Sequence, residues 1–297
     1  MPCYYPITAY RAKAGRSETG GWPLVFDTKN GLHDLPIQIP CGRCIGCRLE
    51  RSRQWAIRCI HEASLHDQNC FITLTYNSEY VNENLSLEKK DFVLFMKKLR
   101  NKYGEKIKFF HCGEYGDNFS RPHHHACLFN MDFTDKKLIR EYDQIKTYTS
   151  ESLQQLWGKG FCTVGDVTFE SAAYVARYTL KKVTGKKAEE HYNGREPEYV
   201  SMSRRPGIGH DWIEKYKNDV YPSDKVIERN MQCKPPRYYD KRYDAGVCAF
   251  KQITLRSKRQ NEAKDNPDNN HDRRMVKEII TRERMKIFSR NLSIQGE

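Results

Sequence analysis

The 297-residue sequence lacks long apolar runs, with no stretch near the ~20 apolar residues that a membrane-spanning helix needs. Residues 1–16 carry no leader-like apolar segment, so the chain is expected in the cytosol, away from membranes. No phosphate-cradling glycine loop is present. Gly15-Arg16 and Gly158-Lys159-Gly160 do not fit that pattern, which argues against a built-in nucleotide-driven motor. Acidic residues are in deficit, 38 Asp+Glu against 51 Lys+Arg, which leaves a net charge of +13. A hydrophobic share of 38% implies a modest core under much polar surface.

What is present points toward polyanions. Excess positive charge draws them by counterion release and steering. Aromatics make up 12% of the chain, including 18 Tyr. Rings interleaved with cations suit single-stranded nucleic acid, where bases stack and phosphates are neutralised. A basic protein without a nucleic-acid role has the same composition. The 11 Cys are read, for a cytosolic chain, as thiols, small buried residues or metal ligands rather than disulfides.

Three parts are expected: a Cys-rich extension and basic helix over 1–66, a core domain over 67–190, and a basic region over 191–297 ending in an amphipathic helix. Residues 1–40 are punctuated by Gly and Pro, with Pro23-Leu24-Val25-Phe26 as a short edge strand. Cys41, Cys44 and Cys47 then stand at two-residue gaps, like a zinc knuckle short of one ligand. Cys3 is the first candidate for the fourth position of a structural Zn²⁺ site, ahead of Cys59 and His61. The competing reading is three thiols at a helix start. From Cys47 to about Leu65 the pattern is helical and basic, with Arg48, Arg51, Arg53 and Arg58 available to a DNA backbone or to solvent.

Phe71–Tyr76 is rich in β-branched and aromatic residues and predicts a central strand. Ser86 is the expected N-cap of a helix running to Gly104, followed by a strand from Lys106. A helix near 152–157, strand pieces 161–164 and 167–169 around Gly165, and a helix over 171–183 complete the core. The order predicts an α+β fold with a central antiparallel sheet flanked by helices. Residues 185–245 read as loop-rich and 262–274 as a polar linker. Met275 to Leu292 reads as a helix with Val276, Ile279, Ile280, Ile287 and Phe288 on its apolar side.

The chemistry centres on Pro122-His123-His124-His125, entering an apolar run. On a strand, His123 and His125 share a face and His124 points away. If Tyr115 pairs with Pro122 in a hairpin, Glu114 sits opposite His123, on the same face. Two imidazoles and one carboxylate then leave open positions for Mn²⁺, or for Mg²⁺ that keeps its waters. The plainer readings are a histidine-rich surface patch and a turn carboxylate paired with Arg121. On the 171–183 helix, Tyr174, Tyr178, Lys181 and Lys182 cluster on one side at about 100° per residue. Ala173, Ala176, Leu180 and Val183 lie nearly opposite. A tyrosine oxygen is a nucleophile once deprotonated, and nearby Lys⁺ favours that form. The alternative is a face that stacks on bases without reacting.

Together these residues resemble the HUH endonucleases, which nick single-stranded DNA in rolling-circle replication. The His-x-His pair is His123 and His125, although His124 stands where a hydrophobic residue is usual. The strand of type Phe-x-Thr-Leu-Thr is Phe71–Thr75, and the two-tyrosine motif is Tyr174 and Tyr178. More closely, the chain is similar to the replication initiators of gokushovirus-type microviruses. That similarity rests on Met1-Pro2-Cys3-Tyr4, the Cys41–Cys47 cluster with 51–56, Gly113-Glu114-Tyr115-Gly116, and residues 203–209. It runs to about residue 240 and is weak over the tail.

The resemblance implies an HUH, ferredoxin-like core with N- and C-terminal extensions. It implies a DNA-nicking strand transferase acting in a bacterial host's cytoplasm on a single-stranded origin. Glu114, His123 and His125 hold Mg²⁺ or Mn²⁺ in that scheme. Tyr174 attacks to leave a 5′-phosphotyrosine and a free 3′-OH for a host polymerase, with a host helicase opening the duplex. Tyr178 makes the second cut, Lys181 and Lys182 assist, and the product is rejoined. The alternative is a non-catalytic single-stranded DNA-binding module.

Overall fold

Side-chain alternation along two neighbouring strands builds both faces of the main core. The computed structural model describes residues 3–17, 22–116, 120–143, 145–181, 183, 187–264 and 266–293; within them, side chains at 178–181, 187, 249, 268 and 287–293 lie outside the description. The chain divides into two compact units, residues 1–51 with 249–297, and residues 52–248.

The first unit holds a three-stranded antiparallel sheet in which β1 (Ile7–Arg11) is flanked by β2 (Leu24–Val25) and β3 (Ile37–Ile39). The expected edge strand at 23–26 is β2. Helix α1 (Ile45–Ala63) begins in this unit and continues into the second.

The second unit is built on β4 (Asn69–Thr75), α2 (Lys89–Tyr103), β5 (Lys108–Tyr115), β6 (Pro122–Phe129), β7 (Lys137–Tyr142), β8 (Ile145–Thr149), α3 (Glu151–Trp157), β9 (Cys162–Gly165), α4 (Phe169–Lys181), α5 (Lys187–Tyr192) and β10 (Tyr199–Met202). Strands β4 to β10 form one seven-stranded antiparallel sheet in the order β10-β5-β6-β4-β9-β8-β7. This is the α+β sheet flanked by helices that the sequence predicts, with its edge strand β10 drawn from beyond residue 190. On one face Ile72 and Leu74 of β4 and Ala126 and Leu128 of β6 pack with Phe95 and Leu99 of α2 and Leu153 of α3. On the other, Phe110 and Cys112 of β5 and Cys127 and Phe129 of β6 meet Ala56 and Cys59 of α1 and Ala172, Val175 and Ala176 of α4.

Several expectations are corrected. The N-cap of α2 is Glu88, whose side chain accepts Lys90 N–H, while the Ser86 hydroxyl accepts Glu196 N–H instead. Residues 167–169 form no strand. Thr168 caps α4, accepting Ser171 N–H at 3.2 Å while Ser171 Oγ accepts Thr168 N–H at 2.8 Å, a reciprocal capping box that starts the helix at Phe169. Among the described side chains of α4 the buried ones are Ala172, Val175 and Ala176, with Ala173 half-buried; the side chain of Leu180 lies outside the described residues.

The region 185–245 is more structured than its composition suggests. After β10 come α6 (His210–Ser223), a hairpin of β11 (Val226–Glu228) and β12 (Met231–Cys233), and α7 (Arg237–Gly246). Trp212, Ile213, Tyr216, Val220 and Tyr221 recur at helical spacing in α6, a signal present in the sequence. The linker expected at 262–274 is mostly helix, the end of α8 (Ala249–Lys264) and the start of α9 (His271–Ser293). On α9 the expected apolar side is exposed at Val276, Ile279 and Ile280, and among its described side chains the buried one is Glu278. The side chains of Ile287 and Phe288 lie outside the described residues.

Candidate active site

The hairpin of β5 and β6 has the register that the pairing argument requires: Tyr115 opposite Pro122 and Glu114 opposite His123. Pro122 opens β6, where a missing N–H costs no ladder bond. Glu114, His123 and His125 therefore project from one face, with their ligand atoms within 4.8 Å of one another. His123 Nε2 is 2.7 Å and His125 Nε2 2.8 Å from the same oxygen, Glu114 Oε1. Glu114 is 1% exposed, yet its second oxygen, Oε2, has no hydrogen-bond partner among the described residues. Arg121 is not its partner; the Arg121 guanidinium donates to the Tyr76 carbonyl and the Ser78 hydroxyl.

The surroundings orient each imidazole. His123 Nδ1 lies 3.0 Å from the Arg121 carbonyl, which can only accept, so Nδ1 carries the proton. In the neutral ring, Nε2 then turns a lone pair toward a carboxylate oxygen. A metal ion between the two atoms would turn that contact into a pair of ligand bonds. His125 Nδ1 is 2.9 Å from Thr73 Oγ1 on the neighbouring strand, and the Phe71 ring stacks on His125 at 5.7 Å. Such outer partners set the tautomer and aim of metal-binding histidines. The donors fit a divalent cation: cis ligands at about 2.1 Å from an ion lie about 3 Å apart, close to the spacings seen here. A buried carboxylate oxygen also remains to be satisfied. Burial alone would raise the Glu114 pKa, but hydrogen bonds from the two imidazoles outweigh it and hold the carboxyl below its usual range.

Helix α4 brings Tyr174 to the same point. Its hydroxyl donates to Glu114 Oε1 at 3.1 Å, and its ring stands edge-on to His125 with centroids 5.0 Å apart. Tyr178 and Lys181 belong to α4, but their side chains, and Lys182 entirely, lie outside the described residues.

His124 serves the opposite face. It is fully buried, with Tyr76 Oη 2.9 Å from Nε2 and His111 Nε2 3.2 Å from Nδ1. His111 in turn meets Ser201 of β10 at 2.9 Å. Burial, helped by the other histidines, pushes the His124 pKa down to about 3, so the ring is neutral. This network was not legible as a unit, although alternation places His124 on the face opposite His123 and His125. Thr73 and Phe71 were also missed as supports. Their signal was the same alternation on β4, which sets Thr73 opposite His125.

The other singled-out residues have clear places. Cys3, Cys41, Cys44 and Cys47 form a second potential metal cluster. The fallback ligands are elsewhere: Cys59 lies in the sheet core, and His61 stacks on Trp212 at 3.5 Å and meets Tyr239 Oη at 2.9 Å. Arg58 is not offered to DNA; it is 9% exposed, sandwiched between the Trp55 and Tyr238 rings at 3.9 Å each. The 203–209 segment is structural as well. Ile208 joins the core, and Gly209 N–H donates to buried Glu62 at 2.7 Å. No helix among the described residues is long and apolar enough to cross a membrane.

Comparisons with known proteins follow the same residues. The model of the family "Replication-associated protein ORF2/G2P" matches residues 69–183, which contain the whole site. The chain is 36% identical over 258 residues to replication-associated protein VP4 of Bdellovibrio phage phiMH2K, covering 82% of this chain and 77% of that protein. It is 32% identical over 266 residues to replication-associated protein ORF2 of Spiroplasma virus 4, covering 82% and 81%. A third relative, replication-associated protein ORF4 of Chlamydia phage 1, is 29% identical over 224 residues, covering 72% and 55%. No solved structure matches the chain.

Proposed function

The chain belongs to the phage replication-associated proteins of gokushovirus type, and on that premise we propose that it binds single-stranded origin DNA and nicks it to start rolling-circle replication. One observation supports this above the rest: Tyr174 Oη, His123 Nε2 and His125 Nε2 meet at a single oxygen of Glu114.

In the proposed step Tyr174 gives up its phenolic proton to solvent, and Oη attacks the scissile phosphorus to form a new O–P bond. The P–O3′ bond breaks, and the leaving oxygen takes up a proton to become a 3′-OH. The product is a 5′-phosphotyrosine. One phosphodiester replaces another, so no nucleotide is consumed. Glu114, His123 and His125 are the residues to hold Mg²⁺ or Mn²⁺, which supplies Lewis-acid polarisation of a phosphoryl oxygen. The Glu114 hydrogen bond holds the phenol at the triad. A carboxylate held below its usual range is a weak base, and a free phenol has a pKa of about 10. Neighbouring positive charge must therefore favour the phenolate, and Lys181, the last residue of α4, and Lys182, next to it in the sequence, are assigned that role together with bracing the phosphate. Tyr178, one helical turn from Tyr174, makes the second cut, after which the freed 3′-OH rejoins a circle. A host polymerase extends the first 3′-OH and a host helicase opens the duplex in the host cytoplasm.

The test is incubation with circular single-stranded DNA bearing the cognate origin and Mn²⁺, with protein-linked DNA read on a denaturing gel. A covalent adduct is expected, abolished by EDTA and by Tyr174→Phe, and retained for the first cut in Tyr178→Phe. An adduct that survives in the double Tyr variant would refute tyrosine chemistry here. DNA binding with no adduct in any condition would instead favour a non-catalytic single-strand binding module.

A further inference from the structure

The cysteine cluster of the first unit is a site that the nicking chemistry does not use. Cys3 lies in the N-terminal segment, Cys41 and Cys44 in the turn before α1, and Cys47 in its first turn. Their four sulfurs lie within 4.8 Å of one another, with Cys41 Sγ and Cys47 Sγ 4.0 Å apart and Cys44 Sγ and Cys3 Sγ also 4.0 Å apart. Bonded sulfurs would lie about 2.05 Å apart, so these are not disulfides. Four thiolates around a tetrahedral ion with Zn–S bonds of about 2.3 Å stand about 3.8 Å apart. The observed spacing matches that cage.

The backbone serves the sulfurs as well. Cys41 N–H donates to Cys3 Sγ at 3.3 Å, Cys44 N–H to Cys41 Sγ at 3.3 Å, and Cys47 N–H to Cys44 Sγ at 3.5 Å. N–H donors of this kind stabilise the charge that metal-bound sulfurs carry. The turn depends on Gly42, whose φ of +74° lies in the left-handed region open to glycine. One divalent ion with four thiolates carries a charge of −2, and Arg43 and Arg48 adjoin Cys44 and Cys47 in the chain. Cys3 and Cys47 are buried while Cys41 and Cys44 are half-buried, which suits a closed structural site rather than an open catalytic one.

The site joins distant parts of the sequence. Immediately after Cys3, Tyr4 Oη is 2.8 Å from Thr281 Oγ1, and Tyr5 Oη donates to Glu278, the buried carboxylate of α9. We infer that Cys3, Cys41, Cys44 and Cys47 bind one structural zinc ion, which clasps the N-terminal segment to the start of α1 and so presents Tyr4 and Tyr5 to α9. The zinc centre is distinct from the Glu114 site and does not depend on the nicking proposal.

The test uses the purified full-length chain. Metal analysis is expected to find one zinc per chain, retained in His123→Ala/His125→Ala and lost in Cys44→Ser. Replacing zinc with Co²⁺ in the unmutated chain should give the intense visible bands and near-ultraviolet thiolate charge transfer of a tetrahedral tetrathiolate. Removing zinc under reducing conditions should speed proteolytic cleavage within 271–293. Zinc that follows the histidine variants, a weak octahedral cobalt spectrum, or thiol titration showing two disulfides overturns the inference. The cobalt spectrum and thiol count need no variant, so a Cys44→Ser chain that fails to fold leaves the question decidable.

Discussion

A single carboxylate oxygen is the meeting point of the candidate site. Glu114 Oε1 receives two imidazoles and a phenol within 3.1 Å, while Oε2 is buried without a partner among the described residues. Glu114→Gln replaces a charged acceptor with an amide that offers one oxygen and two donors. It is expected to abolish Mn²⁺-dependent adduct formation and Mn²⁺ binding together; binding that survives would remove Glu114 from the ligand set. Thr73 acts one step out, through His125 Nδ1. Loss of such an outer partner typically costs 10–100-fold in metal affinity. Thr73→Val should show that loss in a Mn²⁺ titration, and Thr73→Ser should restore it. Equal affinity in both variants would show that the hydroxyl does not orient the ring.

At the scale of elements, the β5–β6 register does the positioning. A slip of one residue would turn His123 and His125 to the opposite face and bring His124 to theirs. Burial of both faces resists that slip, because His124 is locked between Tyr76 and His111. Gly113 of β5 pairs with Tyr199 of β10. A Cβ there would come within 2.6 Å of Tyr199 Cε1 and 3.1 Å of Leu87 Cδ2. Gly113→Ala is expected to destabilise the second unit by about 1–3 kcal/mol, since overpacked cores typically lose that much. Urea unfolding measures it, and an unchanged midpoint would mean that the β10 edge yields freely.

Over the whole molecule, buried neutral histidines should govern acid stability. Burial pushes the His61 pKa down to about 4 and that of His124 to about 3, and drives that of His111 well below its usual value. The unfolded chain binds protons at these rings below about pH 6.5, whereas the folded chain does not until much lower pH. Stability therefore falls as pH drops from about 6.5 toward 4. Each proton taken up on unfolding contributes about 1.4 kcal/mol per pH unit. Urea midpoints at pH 7 and pH 5 test this, and equal midpoints would mean that the three rings titrate normally. The net charge of +13 acts at longer range. Single-stranded DNA affinity should fall on a log–log plot against salt with a slope of about −0.7 per phosphate contacted. A flat salt response would exclude backbone neutralisation as the main source of binding.

Much of this was legible in local pattern. Alternation put His123 and His125 on one face, the assumed hairpin pairing put Glu114 opposite His123, and cysteine spacing marked out 41–47. The antiparallel α+β sheet followed from the order of strands and helices. These features are encoded over a few residues, where period and turn chemistry suffice. Other features depend on residues far apart in the chain, which no local period encodes. Neither β10 as the edge partner of β5 nor the burial of Arg58 between Trp55 and Tyr238 could be read from its own segment. The same holds for Tyr174, which helical period placed on a face but only the packing of α4 on the sheet brought to Glu114. Cys3 was a named candidate beside the 41–47 turn, yet its place there depends on a chain reversal of about forty residues. Period and spacing set which atoms are available and which way they face; which of them meet is set by the burial of apolar faces across the whole chain.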